Sequence, residues 1–202
     1  MIKKIIDGIF AGTLVSIGGM VYLSCDNRYI GAVLFSIALL VICNKGYSLY
    51  TGKICYIPEK HDKEVFSVLL LGLLGNFLAT VVCAWMLKYA TASIAETALS
   101  MCETKLTQEF FQTLIKAIFC GILIYLSVDI FKSSKNPIGI LFAIPVFILS
   151  GYEHSIADMF YFAASGIVSL KAFGFIWTVI LGNSIGGMLF PILKKIGAKE
   201  KS

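Results

Sequence analysis

The chain has 202 residues, of which 58% are hydrophobic and only 14% charged, with a mean hydropathy of +0.86 and a formal net charge of +5. A soluble domain is nearer half apolar and a quarter charged, so this is the composition of a bilayer protein. The positive charge does not point to nucleic acid, because no basic stretch is long enough and the lysines flank apolar segments, where they mark the cytoplasmic side.

A bilayer core of roughly 30 Å takes about 20 apolar residues per helix, and that length divides the chain into six spans. The first runs from Ile5 to Leu23. Its start, MIKKIIDGIFAG, resembles a signal peptide only superficially, since it continues into a full span without an Ala-x-Ala-like cleavage site. The second, Tyr29 to Ile57, is too long for one straight helix and is interrupted by CNKGYSLYTGK. The third runs from Val65 to Met86 and is followed by a polar stretch, TASIAETALSMCETKLTQE. The fourth covers Phe111 to Phe131. The fifth begins near Pro137, stops at GYEHSIAD and resumes as MFYFAASGIVSL. The sixth covers Phe173 to Leu193, and a basic tail, KKIGAKEKS, follows. The expected organisation is a single transmembrane domain over residues 1–202, with no room for a separate soluble domain beside six spans.

With the amino terminus inside, Lys3, Lys4, Lys60, Lys63, Lys132, Lys135, Lys194, Lys195, Lys199 and Lys201 fall on the cytoplasmic side. The outer side then carries Arg28, Lys88, Lys105 and Lys171 with Glu96, Glu103 and Glu109. This asymmetry predicts a multi-pass protein of the cell (plasma or inner) membrane with both termini cytoplasmic. Six cysteines lie scattered in or near the apolar segments without a Cys-x-x-Cys pair, so neither a disulfide framework nor a zinc site is indicated. They read as buried small hydrophobes.

The two halves, about 1–100 and 108–202, repeat. Gly75-Asn76 in LLGNFLAT recurs as Gly182-Asn183 in ILGNSIGG, and the same spacing carries Phe35 onto Phe142 and Tyr47 onto His154. Three spans per half make the repeat inverted, with one broken helix at the matching position of each half. Interrupted hydrophobic segments in corresponding positions point to a transport site near the midplane, because freed backbone is tolerated there only when it is buried or lines a cavity.

These residues resemble a family. SLYTGK, GYEHSIADMFYF and LGNSIGGMLF are similar to signatures of the formate/nitrite transporter family, in order and over nearly the whole chain. The resemblance implies an all-α, aquaporin-like protomer of six transmembrane helices, with broken second and fifth helices, in a homopentamer with one pore per protomer. It implies small monovalent anions as substrates (formate, nitrite, hydrosulfide, lactate), passed by a channel or a proton-coupled transporter. By motif, His154 resembles the central pore histidine and Thr51 the loop threonine facing it. Phe35, Leu39 and Phe147 resemble the apolar constriction residues, with Leu49 and Tyr50 on the loop side. The chain departs from the pattern where the fourth helix has Tyr125 in place of an asparagine, where Asp158 replaces a commoner asparagine, and in Lys45, Asp129 and the short loops.

Each residue also has a plainer reading. A lone buried histidine is commonly a packing residue, but an ionisable group in a span is costly and functional by default. Desolvation favours neutral His154 while an incoming anion favours the charged form, which suits a proton relay or a sensor of the anion. Thr51 alone would be a backbone-bonding threonine near a break. Phe35, Leu39 and Phe147 would on spacing alone be core. Glu153 reads as structural, tying the broken backbone; Asn76 and Asn183 satisfy backbone at the breaks, and Gly75, Gly182, Gly186 and Gly187 allow close helix crossing. Lys3 and Lys116 start equivalent helices and could lie in opposite vestibules, or Lys116 could snorkel. Lys45 and Asp129 form an ion pair within the protomer, or Lys45 adds positive potential to the pore.

The mechanism expected is that vestibule lysines and helix dipoles concentrate the anion. It gains a proton from water or through His154 as it is desolvated, then crosses the apolar rings as the neutral acid. A neutral-solute or water channel of the same architecture is the alternative. A membrane enzyme is disfavoured, because no nucleophile–base pair, catalytic carboxylate pair or metal cluster is seen, and no cofactor is expected. The partners expected are the anion or its conjugate acid, the lipid bilayer and further copies of the chain.

Overall fold

The computed structural model describes residues 1–199, which form nine α-helices. In chain order these are α1 (Ile2–Ser24), α2 (Arg28–Lys45), α3 (Tyr50–Lys53), α4 (Lys63–Ala90), α5 (Ala92–Leu106), α6 (Phe110–Ser134), α7 (Ile138–Leu149), α8 (Ser155–Ser165) and α9 (Leu170–Lys199). A 3-10 turn over Ile54–Tyr56 prolongs α3. The helices α1, α2, α4, α6 and α9 are long and apolar enough to cross a membrane. The remaining path is made by α7 and α8, of 12 and 11 residues, which follow one another across a non-helical break. Lys201, and the side chain of Lys199, lie outside the described residues.

Local chemistry sets the helix ends. Asn27 begins α2 by accepting from the amides of Tyr29 and Ile30. Asp62 begins α4 by accepting from Val65 N–H at 2.9 Å, which holds its carboxyl below the ordinary aspartate range. The broken helices stop alike: Gly46 (φ 74°) ends α2 and Gly151 (φ 66°) follows α7, both in the left-handed region that costs a glycine little.

The polar stretch after the third span, to which the sequence assigns no element, is helix α5. Its polar residues mask an apolar stripe of Ile94, Ala98, Met101 and Cys102 at helical spacing, and Ala98 and Cys102 are fully buried. The stripe packs against α8, so α5 turns back over the protein at the end away from the termini.

Small residues set the crossings of α1 with α4 and of α6 with α9. A Cβ at Gly12 would lie 2.6 Å from the carbonyl oxygen of Asn76, and one at Gly8 would lie 2.5 Å from that of Gly72. In the second half Gly121 meets the Asn183 carbonyl in the same way, and Gly186 meets that of Ile118. Helices without a hydrophobic drive between them pack through such close backbone approach.

The repeat register differs from the single spacing read from the sequence. Tyr50 N–H donates to Asn76 across 26 positions, whereas Ser155 N–H donates to Asn183 across 28. The breaks therefore align Leu49, not Tyr47, with His154, and each of those two is the cap residue before the second half-helix. Likewise Tyr47 N–H bonds the carbonyl of Ile42 as Tyr152 N–H bonds that of Phe147, so Phe35 corresponds to Ile140 and not to Phe142. Phe142 is 69% exposed while Ile140 and Phe35 are buried. The loops of the two halves differ in length, and one constant offset cannot absorb that.

The lysines separate by ends. Near the termini, Lys4 pairs with Glu64 at 2.8 Å, Lys195 donates to the Pro58 carbonyl at 2.9 Å, and the Lys132 ammonium lies 3.6 Å from the Tyr56 ring centre. Arg28 and Lys105 share a cavity at the other end.

Candidate functional site

The two breaks meet in the middle of the chain's fold. Asn76 on α4 donates to the carbonyls of Gly8 (2.8 Å) and Ser48 (3.0 Å) and accepts from Tyr50 N–H (3.0 Å). Asn183 on α9 donates to the carbonyls of Ala117 (2.9 Å) and Glu153 (2.8 Å) and accepts from Ser155 N–H (2.8 Å). Both are fully buried. Each amide thus satisfies one carbonyl and one N–H of the break, and ties the break to a carbonyl of the uninterrupted helix beside it, α1 or α6.

On this frame His154 caps α8. Its Nδ1 accepts from Ala157 N–H at 3.2 Å, and its Nε2 lies 2.9 Å from Thr51 Oγ1. Because Nδ1 is an acceptor, the neutral ring carries its proton on Nε2 and donates it to Thr51. The ring is 4% exposed and stacks on Phe147, with centroids 5.7 Å apart. Phe147 in turn meets Phe35 edge-to-face at 6.3 Å.

A cavity of about 430 Å³ opens on the α5 side, with Phe147 and His154 among its lining. A second, of about 120 Å³, lies on the terminal side and is lined by Leu39 and Leu49. Between them stand Thr51, His154, Phe35, Leu39, Leu49 and Phe147, each 4% exposed or less. The geometry is two vestibules separated by an apolar girdle with one hydroxyl–imidazole pair.

Both vestibules are basic. The α5 cavity holds Arg28 and Lys116 with Lys105, the last of these set against the acids Glu153 and Asp158 of the same lining; the terminal cavity holds Lys53, Lys132 and Lys135. Lys53, Lys132 and Lys135 were not singled out from the sequence as cavity residues, although Lys53 lies next to SLYTG. Lys3 is exposed and lines neither cavity, and the position matching Lys116 across the α1–α6 pairing is Asp7.

The largest electrostatic feature was not legible. Lys105, at the end of α5, bonds Glu153 Oε2 and lies 3.0 Å from Asp158 Oδ1, while Gln108 donates to Glu153 Oε1 at 2.8 Å. The side chains of Glu153 and Asp158 are 2% exposed. In the sequence Lys105 is one charge in a polar loop, and only the folding of α5 onto α8 brings it to the acids. The side chain of Glu153 consequently does not tie the broken backbone; its carbonyl is held by Asn183.

Other expectations are corrected. Asp129 pairs with Lys194 at 2.8 Å near the surface, and Lys45 is exposed at the end of α2 and lines neither cavity. Tyr125 points away from His154 and stacks on Phe190 of α9, at 6.1 Å. Cys120, one turn and a half earlier on α6, is fully buried. Tyr50 sends its hydroxyl to Ser184 of α9 at 2.9 Å and lines neither cavity. Among the described residues no cluster of His, Cys, Asp and Glu is placed to hold a metal.

The sequence profile described as "Formate/nitrite transporter" matches residues 1–196. A "Formate-nitrite transporter" of Plasmodium ovale is 26% identical over 93% of this chain and 72% of its own length. Of solved structures, an "FNT family ion channel" superposes with a TM-score of 0.85 at 23% identity, covering 98% of this chain and 90% of that one. A "Pentameric formate channel with formate bound" superposes with a TM-score of 0.78 at 20% identity, covering 98% and 96%. These relatives are transporters and channels, not enzymes. The chain belongs to the formate/nitrite transporter family.

Proposed function

We propose that the chain forms a pore through which small monovalent anions of the formate, nitrite, hydrosulfide and short-carboxylate class cross a cell membrane as their conjugate acids. The observation that carries this reading is the buried Thr51–His154 pair, set in an apolar girdle between two lysine-lined vestibules. The lysines raise the local anion concentration. The girdle rejects the bare anion, since an uncompensated buried charge costs several kcal/mol even after relaxation, whereas a neutral acid carries no such penalty. At the girdle His154 Nε2–H faces Thr51, whose own hydroxyl proton is free to meet a substrate oxygen.

The working unit we infer is a homopentamer, with a pore in each protomer. Its support is the likeness to a solved pentameric formate channel. The excess of lysines at the end holding both termini supports placing that end in the cytoplasm.

The test is uptake into proteoliposomes of formate, nitrite, hydrosulfide and lactate across a pH gradient, comparing wild type with His154→Ala. Selective uptake that an inward proton gradient accelerates, and that the variant loses, supports the reading. Equal passage of uncharged solutes through both proteins, with no anion uptake, replaces it with a neutral-solute channel.

A further inference from the structure

We propose that Asp158, lining the α5 vestibule beside His154, is a proton-carrying carboxyl that hands its proton to the incoming anion. This inference rests on the weak-acid reading above and specifies where the transferred proton resides.

Glu153 and Asp158, both buried, share a single ammonium, that of the partly buried Lys105. With both acids ionised the cluster would carry an uncompensated negative charge out of water, and two carboxylates on one cation push one of them towards its protonated form. Hydrogen bonding decides which. Glu153 receives a donor on each oxygen, Lys105 on Oε2 and Gln108 on Oε1, so its ionised form is satisfied. Asp158 receives Lys105 on Oδ1 only, and its Oδ2 is buried without a hydrogen-bond partner in the protein. A proton on Oδ2 neutralises the cluster without disturbing either bond to Lys105.

Position supplies the second half of the argument. Asp158 and Gln108 both line the cavity that also reaches Phe147 and His154. The amide oxygen of Gln108 is likewise buried without a partner. Two side chains on one cavity wall thus each hold an unpartnered oxygen just behind that wall, which suits a ligand that enters between them, accepts a proton and then presents an O–H. The other charged or titratable groups near Asp158 are accounted for. Cys102 on α5, Cys120 on α6 and Tyr161 on α8 are buried, and His154 is committed through Nδ1 to Ala157 and through Nε2 to Thr51. Tyr22, Arg28 and Lys116 line the same cavity, and the two cations favour the anion's approach.

The step balances simply. The anion enters the vestibule and accepts the Oδ2 proton of Asp158. The products are the neutral acid, with its new O–H facing Gln108 Oε1, and the Asp158 carboxylate paired with Lys105. The acid moves past Phe147 to His154, and water from the α5 side returns a proton to Asp158. His154 need not change charge during the cycle.

The experiment compares wild type and Asp158→Asn in proteoliposomes with labelled formate, over a series of external pH values. The asparagine keeps an acceptor for Lys105 and removes the proton. The expected result is a wild-type rate that levels off at low pH, where Asp158 is fully protonated. The variant's rate is expected to fall about tenfold per pH unit throughout, following free formic acid alone. Overlapping pH profiles for the two proteins would overturn the proposal while leaving the weak-acid pore standing. Failure of wild type to take up any anion would overturn both. Should the variant not assemble, infrared difference spectra of wild-type protein serve: formate is expected to bleach the carbonyl stretch of a protonated carboxyl, and the absence of any such band overturns the proposal.

Discussion

Thr51 and His154 stand 2.9 Å apart and come from opposite halves of the repeat, so one hydrogen bond joins the two broken helices at their closest approach. The bond has a direction, because Ala157 N–H occupies Nδ1 and leaves Nε2 as the donor. Thr51→Ser is therefore expected to keep both transport and stability. Thr51→Val, of the same shape, leaves a buried N–H without an acceptor, which costs about 1–3 kcal/mol. The crossing acid also loses its hydrogen bond to the hydroxyl, worth about 0.5–1.5 kcal/mol net, which is roughly 2- to 13-fold in rate. Formate uptake by the two variants, at equal amounts of assembled protein, separates the outcomes. Equal rates for serine and valine would remove the hydroxyl from the mechanism.

The two asparagines are expected to matter for folding and not for selectivity. Asn76→Ala and Asn183→Ala each strip two backbone groups of the break, one carbonyl and one N–H, of their partners and remove a third bond to a helical carbonyl. At about 1–3 kcal/mol per unsatisfied group, partly relieved by relaxation, each is expected to lose about 2–5 kcal/mol. Asn183→Asp, which keeps the acceptor for Ser155 N–H, should lie between. Thermal unfolding in detergent measures this, and an unchanged midpoint for either alanine variant would contradict the role.

Lys105 presents the opposite expectation to that of a loop lysine. Replacing an exposed lysine commonly changes stability by less than about 0.5 kcal/mol. Lys105→Met instead leaves two buried carboxylates without their cation, and breaking a buried pair from one side costs about 3–5 kcal/mol. Adding Asp158→Asn to Lys105→Met removes one of the stranded acids and should recover part of the loss. A double-mutant cycle on unfolding midpoints checks both statements; additive losses would show that the two groups do not interact in the folded protein.

How much of this could be read from the sequence follows from the range over which each signal acts. The spans were legible because a bilayer imposes length and apolarity on every crossing helix, and the ends of α1, α4 and α6 fall within a few residues of the apolar runs. The paired breaks were legible because each carries glycine and polar residues inside an apolar stretch. His154, Thr51 and Phe147 were named together from motifs, and they are adjacent in the fold. Helix α5 was missed because its apolar stripe is narrow and its composition polar, and with it went the Lys105 cluster, whose members are 48 and 53 positions apart along the chain. The repeat register failed by two positions at the breaks, since loop lengths differ between halves. Tyr125 was assigned from spacing along one helix, which fixes neither the face nor the neighbour.

The terminal-side vestibule yields the last expectation. Lys53, Lys132 and Lys135 line a small cavity whose apolar wall is Leu39, Leu49, Val128 and Phe131. Lys53 also donates to the Gly46 carbonyl at 3.3 Å, which keeps its ammonium at the mouth of the break. Three like charges around one cavity raise the anion concentration there without binding any anion tightly, and charges of this kind act on rates of arrival, which salt screens. Lys132→Gln and Lys135→Gln, single or combined, are therefore expected to slow formate entry from the terminal side at low ionic strength. The difference from wild type should shrink as salt is raised, because the Debye length falls to about 8 Å at physiological ionic strength. Lys53→Gln should add a loss that salt does not remove, since its hydrogen bond to the break is lost as well. Efflux from loaded vesicles at two salt concentrations distinguishes these cases. A salt-independent defect in the Lys132 and Lys135 variants would mean that those lysines position structure instead of attracting the anion.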